Sequence, residues 1–252
     1  MKRNLDIRIK NAVELVTLRE AGVILARIVN SIKSSLTAGM TTKDINAIAE
    51  QMIVRENVLP AFKGYRGFPA CACISVNDEV VHGIPGPRVI KDGDIVSVDI
   101  GIIYQKYFSD MAVTLGCGKI DIRRQELLDV TRQALYKGIA QAKPGLRLGD
   151  VSNAIQQYVE SKGFSVVRDF VGHGIGRQLH EDPEIPNYGK PGTGPVLKSG
   201  MVLAIEPMVN SGGYAVRTLD DGWTVVTSDS LPSAHFEHTI AVTDVGPVIL
   251  TE

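Results

Sequence analysis

The sequence predicts an α+β chain of two pseudo-symmetric halves, and three observations carry that expectation. Helical hydrophobic periodicity appears as a pair of segments in residues 11–57 and as a second pair in residues 121–163. Setting Gly39 against Gly145 brings TAGMTTKDINAIAEQMIVREN beside KPGLRLGDVSNAIQQYVESKG and matches Asp44 with Asp150 and Ile45 with Val151. β-rich runs follow each pair: CACISV, DIVSVDIGIIY and FSDMAVTLG first, then MVLAIEPMV and FEHTIAVT. Two copies of so long a unit do not make a solenoid. The expected organisation is one domain over residues 1–252, with halves at about 10–118 and 119–250.

Each element has a local cause. Leu15, Leu18, Ala21, Leu25, Ile28, Ile32 and Leu36 recur at helical spacing; Asn11 and Glu14 are placed as a cap, and Gly39 closes the stretch. Thr42 opens the second helix, whose face of Ile45, Ile48, Ala49, Met52 and Ile53 runs to about Asn57. In CACISV a regular strand would point Cys71 and Cys73 to one face. Asp99 and Asp110 bracket GIIYQKYFS, which a hairpin can fold back to put both carboxylates on neighbouring strands. From Asp121, Leu127, Leu128, Leu135 and Ile139 form a third helical face that Pro144 and Gly145 end; Val151, Ile155 and Val159 form the fourth, before Gly163. Gly172 and Gly174 flank His173 and would permit close backbone approach to a bound group. MVLAIEPMV reads as a strand that Pro207 can bend. In FEHTIAVT, Glu237 and Thr239 share a face and His238 takes the other.

At 252 residues and 44% hydrophobic content the chain can bury one sizeable core. A net charge of -1 supplies no basic field for nucleic acid. The start MKRNLDIRIK lacks an apolar signal region, and no apolar run approaches the roughly 18 residues of a membrane span, so a cytoplasmic enzyme is expected. Three cysteines without a CxxC pair argue for reduced thiols and against zinc-finger or redox chemistry.

The chemistry lies in Asp99, Asp110, His173, Glu206 and Glu237, set in the contexts VDIG, SDMA, GHGIG, IEPM and FEHT. Carboxylates in apolar or glycine-punctuated runs are expensive to bury without compensation. One imidazole and four carboxylates form a hard ligand set, large enough for two divalent ions and unlike a thiolate zinc site. Such a set points to metal-assisted hydrolysis. All five histidines, His82, His173, His180, His235 and His238, lie in or beside these motifs. No P-loop, dinucleotide fingerprint or GxSxG elbow is present.

Taken in order, HGIPGPR, VDIG, SDMA, GHGIGRQLHEDP, IEPM and FEHT closely resemble the type I methionine aminopeptidases, members of the pita-bread metallohydrolases, over about residues 6 to 250. The resemblance implies a curved antiparallel sheet with two pairs of covering helices, forming a single catalytic domain. It implies that Asp99 chelates one metal, that His173 and Glu206 hold the other, and that Asp110 and Glu237 bridge the two. The ions would be Co, Mn, Fe or Zn, activating water and polarising the scissile carbonyl. Glu206 would relay the proton, His180 would donate to the developing oxyanion, and His82 would serve the free amino terminus or the departing amide nitrogen. Tyr65, Phe68, Cys73, Leu179 and Trp223 are nominated for the methionine pocket. Leu179 stands where the family often has an aromatic, Phe68 where it often has Tyr, and His235 where it often has Gln. The implied substrate is the initiator methionine of nascent polypeptides near the ribosome, removed when the second residue is small; a monomer is expected. Phe170, Met208 and His235, close in sequence to ligands, are nominated as the gate for that second residue.

Two enzymatic rivals fit less well. A proline-specific peptidase of the prolidase type resembles the ligand set but normally carries an additional N-terminal domain. The type II branch would place a long insertion between His173 and Glu206. A binding module that has lost catalysis would be expected to have lost ligands, and all five are present.

Overall fold

The computed structural model describes residues 5–252. α1 (Ala12–Ser35) begins with the expected capping box: Asn11 and Glu14 each accept the other's backbone N–H at 3.0 Å. α1 buries Leu18, Ala21, Leu25, Ile28 and Ile32. It lies so close to the C-terminal segment that a Cβ at Gly22 would overlap the Leu250 carbonyl, and Arg19 donates to the carbonyls of Ile249 and Leu250. α2 (Thr42–Arg55) is capped by Thr41, α3 (Ile122–Ile139) by Asp121, and α4 (Leu148–Ser161) starts after Arg147.

The aligned segments repeat one another down to single hydrogen bonds. Asp44 accepts the Thr41 N–H and Asp150 accepts the Arg147 N–H, each at 2.8 Å. Gly39 and Gly145 are both left-handed, at φ 95° and 88°, and donate to the carbonyls of Ile90 and Leu197. Thr42 then donates to Arg88 and Leu148 to Pro195.

Between the helix pairs run β1 (Leu59–Pro60), β2 (Ala72–Val76), β3 (Glu79–Val81), β4 (Ile95–Tyr104) and β5 (Tyr107–Gly116). After α4 come β6 (Ser165–Val166), β7 (Gly172–Gly174), β8 (Glu181–Ile185), β9 (Val202–Ile205), β10 (Met208–Asn210), β11 (Val216–Thr218), β12 (Val225–Thr227), β13 (Ser233–His235), β14 (Glu237–Thr243) and β15 (Gly246–Ile249). The main sheet runs β1-β4-β5-β14-β9-β7-β8, with β2 on β4 and β15 on β14. Smaller sheets are β13-β10-β6 and β11-β12-β3. β14 pairs with β5 through Glu237 opposite Ala112, which joins the strands that follow the first helix pair to those that follow the second.

Strand alternation divides the sheet into an apolar and a chemical face. Val96, Val98, Ile100 and Ile102 of β4 pack against Leu25, Ile28, Ile32, Ile45 and Ile53 of α1 and α2. Leu203, Ile205, Ile240 and Val242 join Leu127, Leu135, Val151 and Ile155 of α3 and α4 in the other large core. Each such side chain contributes about 1.5–3 kcal/mol on full burial. Asp99, Asp110, Glu237 and Thr239 therefore fall on the face away from the helices.

Two local expectations change. MVLAIEPMV is not one strand: it breaks at Glu206-Pro207, with β9 in the main sheet and β10 paired to β13 and β6. Proline has no N–H to continue the ladder. The thiols of Cys71 and Cys73 also diverge. Cys71 precedes β2; its N–H and that of Ala72 bond to the Asn46 Oδ1, and its Sγ contacts Glu50 on the α2 side. Cys73 instead lies opposite Asp99 on the chemical face. All three cysteines are free. Among the described residues no helix is long and apolar enough to cross a membrane.

Candidate metal centre and active site

Four strands and the break after a fifth deliver the five candidate ligands to one cavity of about 280 Å³. Asp99 on β4 sits opposite Ala112, and Asp110 on β5 sits opposite Gly101, so the hairpin places the two carboxylates diagonally on one face, as its length predicts. Glu237 opens β14, His173 is the centre of β7, and Glu206 occupies the break after β9. Ligand atoms of Asp110, His173 and Glu237 lie within 4.8 Å of one another. His173 Nε2 is 3.5 Å from Glu206 Oε1.

Hydrogen bonds aim these groups. A carbonyl can only accept, so the 3.0 Å contact of His173 Nδ1 with the Gly174 carbonyl puts the ring proton on Nδ1 and leaves the Nε2 lone pair for a ligand. Thr239 Oγ1 accepts from the Asp110 N–H at 3.1 Å and donates to the Asp110 carbonyl at 2.8 Å. Asn187 Nδ2 donates to the Glu206 carbonyl at 3.1 Å. Thr114 holds both the N–H and the carbonyl of His235. Gly172 and Gly174 also have a cause within the sheet itself. A Cβ on Gly172 would overlap the Ala204 carbonyl and one on Gly174 the Asp182 carbonyl, so both are required by the neighbouring strands.

Electrostatics show what the cluster lacks. Burial, followed by repulsion from Asp110, raises Asp99 well above the carboxylate range. Burial pushes Asp110 up to about 7. Burial and the neighbouring carboxylates likewise raise Glu206 and Glu237 well above it. Asp99 Oδ1 and Glu237 Oε1 are buried without a hydrogen-bond partner. Burial lowers His173 to about 4 and keeps it neutral. Four crowded carboxylates, orphaned oxygens and a neutral imidazole fit hard divalent cations, which would relieve the repulsion and occupy the unpaired oxygens.

The cavity also gathers the other predicted residues: His82, His180, Tyr65, Phe68, Cys73, Leu179, Trp223, Phe170, Met208 and His235. His82 follows β3 in the left-handed region at φ 60°, a strained conformation for a histidine, with its ring 5.5 Å from Phe170 and 6.3 Å from Trp223. His180 lies 4.3 Å from the His173 ring, and its Nδ1 is 2.8 Å from the Tyr65 hydroxyl. It reaches the cavity mouth; burial first, then His173, Arg66 and His82, lower its pKa and favour the neutral ring. Phe68 and Leu179 are buried, and Phe68 meets Trp223 edge-on at 5.1 Å. Burial raises the Cys73 thiol far above its ordinary value and keeps it protonated. Met208 and His235 are opposite one another across β10 and β13. His238 points away, bonding Thr251 behind the sheet.

Sequence reasoning missed Phe62, Arg66, Val81 and Val171 in the lining. It also missed a buried ion pair, Lys10 Nζ to Glu181 Oε2 at 2.7 Å, whose carboxylate accepts the N–H groups of Arg177 and Gln178 beside His180. Only an acidic residue next to His180 hinted at it.

The model of metallopeptidase family M24 matches residues 16–244. The chain belongs to that family. Among its relatives, the methionine aminopeptidase of Clostridium perfringens is 54% identical, covering 97% of this chain and 98% of its own. Methionine aminopeptidase 1 of Bacillus subtilis is 55% identical, with 94% and 96% covered. A crystal structure of methionine aminopeptidase from Thermotoga maritima superposes with a TM-score of 0.96 at 51% identity, covering 98% of this chain and 99% of that one. The M24 architecture here is thus the expected pita-bread fold, an antiparallel half-barrel sheet with four helices. Within M24 these likenesses place the chain with the type I methionine aminopeptidases and against the prolidase and type II alternatives.

Proposed function

We propose that this M24 peptidase removes the N-terminal methionine from polypeptides whose second residue is small and uncharged. The observation that carries the reading is the meeting of two unlike surfaces in one cavity. Crowded, unpartnered carboxylates border an apolar slot of Phe68, Cys73, Leu179 and Trp223. An unbranched thioether suits that slot, whereas a charged first side chain would be buried unpaired.

Asp99 and the bridging pair Asp110 and Glu237 would hold one divalent ion, and the same bridging pair with His173 and Glu206 the second, of Co, Mn, Fe or Zn. Bound there, the ions would supply activated water at neutral pH and polarisation of the scissile carbonyl. Glu206, at the break after β9 with its carboxylate 3.5 Å from His173 Nε2, would accept the proton of the attacking water and pass it to the leaving nitrogen. The Tyr65 hydroxyl lies 2.8 Å from His180 Nδ1; donating there, it would leave the ring proton on Nε2, where a neutral imidazole would serve as donor to the developing oxyanion. His82, fixed between Phe170 and Trp223, serves the substrate's amino terminus or the departing nitrogen. Phe170, Met208 and His235 bound the space for the second residue. The reading extends to a monomer acting in the cytoplasm on nascent chains near the ribosome.

Peptides identical beyond their first residue test it. Met-initiated peptides should be cut much faster than those beginning with Leu, Lys or Glu. Comparable turnover of the Lys-initiated peptide would make the protein a broad aminopeptidase instead.

A further inference from the structure

Trp223 forms one wall of the apolar slot, half-buried at the edge of the core that holds Phe68, Cys73 and Leu179, on a short connection between β11 and β12. Its backbone is held by the residue two positions earlier. Asp221 Oδ1 accepts the backbone N–H groups of Trp223 and Thr224, each at 2.8 Å, and Asp221 Oδ2 accepts the Thr224 hydroxyl at 2.6 Å. The turn is closed by Leu219 N–H to the Thr224 carbonyl at 2.8 Å and by Gly222, left-handed at φ 76°. A carboxylate that accepts three local donors sets the direction in which the backbone leaves the turn. That direction points the indole at Phe68, 5.1 Å away edge-on, and at His82.

We propose that Asp221 is a positioning residue for first-residue selectivity: it touches no substrate and holds Trp223 against Phe68 to keep the methionine slot narrow. The proposal rests on reading this cavity as the methionine site. Without the carboxylate the turn relaxes, the indole swings from Phe68, and the slot widens while the carboxylate cluster on β4, β5 and β14 is untouched. The effect therefore falls on binding of the first side chain and not on the chemical step.

The chain has a single tryptophan, so its emission reports this wall alone. The experiment uses metal-loaded protein, Met- and Leu-initiated peptides, and free methionine as the fluorescence probe. In the parent protein methionine should shift the emission. Asp221→Ala should show red-shifted emission, a KM for the Met-initiated peptide raised about tenfold, kcat within about twofold, and a smaller Met-over-Leu preference. Asp221→Asn, which keeps a side-chain oxygen for the turn, should restore most of each. Thr224→Val removes one of the three donors without touching the carboxylate and should give an intermediate shift; it carries the test if the alanine variant does not fold. Unchanged emission and KM in Asp221→Ala, or in Thr224→Val if that variant stands in, would overturn the positioning role. So would a loss confined to kcat, or a loss that asparagine fails to rescue. A parent protein that does not prefer Met over Leu would instead overturn the reading of the cavity.

Discussion

At the scale of single residues, the groups that would hold ions are distinct from those that would act on substrate. Asp110→Asn or Glu237→Gln removes a charge that two cations would share, and each is expected to lower metal occupancy and turnover together, as metal analysis beside kinetics would record. His180→Ala should behave differently. It should lose about a hundredfold in turnover, the scale of an oxyanion donor, and keep its metal. Loss of metal in that variant would make His180 a ligand. The ligands were legible because a charged residue in an apolar strand demands a partner. The contact of Tyr65 with His180 and the Lys10–Glu181 pair were not, since both join residues more than a hundred positions apart and neither residue's neighbourhood announces the other.

At the scale of elements, β7 tolerates little change. Its glycines lie against the Ala204 and Asp182 carbonyls, and a methyl group at either would push the strand aside. Gly172→Ala or Gly174→Ala is expected to destabilise by about 1–3 kcal/mol and to displace His173, so reduced metal affinity should accompany the lowered melting temperature. The gate is a second element-scale claim. Met208 and His235 face each other on β10 and β13, so shortening both should admit Met-Leu and Met-Gln peptides with metal binding retained; an unchanged ranking of second residues would move the gate elsewhere. Helix boundaries were readable to within about two residues because Asn11, Thr41 and Asp121 cap locally. The break at Glu206-Pro207 was only half readable: Pro207 signalled a bend, but the transfer of β10 to another sheet depends on β13 and β6, which are distant in sequence.

At the scale of the whole molecule, we propose one catalytic domain in two halves, about 10–118 and 119–250, a division supported by the matched bonds of Asp44 with Asp150 and of Gly39 with Gly145. Joining the halves through β5 and β14 concentrates negative charge at their seam. The metal-stripped protein should therefore be sensitive to alkali. Asp110, pushed up to about 7, and the raised Asp99, Glu206 and Glu237 bind protons more readily folded than unfolded. Their contribution to stability is present at low pH and is lost as pH rises through those folded values. His173 and His235, lowered to about 4 and about 3 chiefly by burial, act in the opposite sense, but only below their ordinary value of about 6.5. Once pH passes the histidines' ordinary value of about 6.5, the melting temperature of stripped protein should fall as pH rises, and added Mn or Co should flatten the curve.

The most direct measurement is a metal titration of the stripped enzyme, with bound metal counted and released free methionine quantified on one Met-Ala-initiated peptide. Expected are no turnover without metal, activity that rises with occupancy, and free methionine as the sole amino acid released. Turnover by the stripped protein at the metal-loaded rate, or release of a Met-Ala dipeptide in place of methionine, would contradict these expectations.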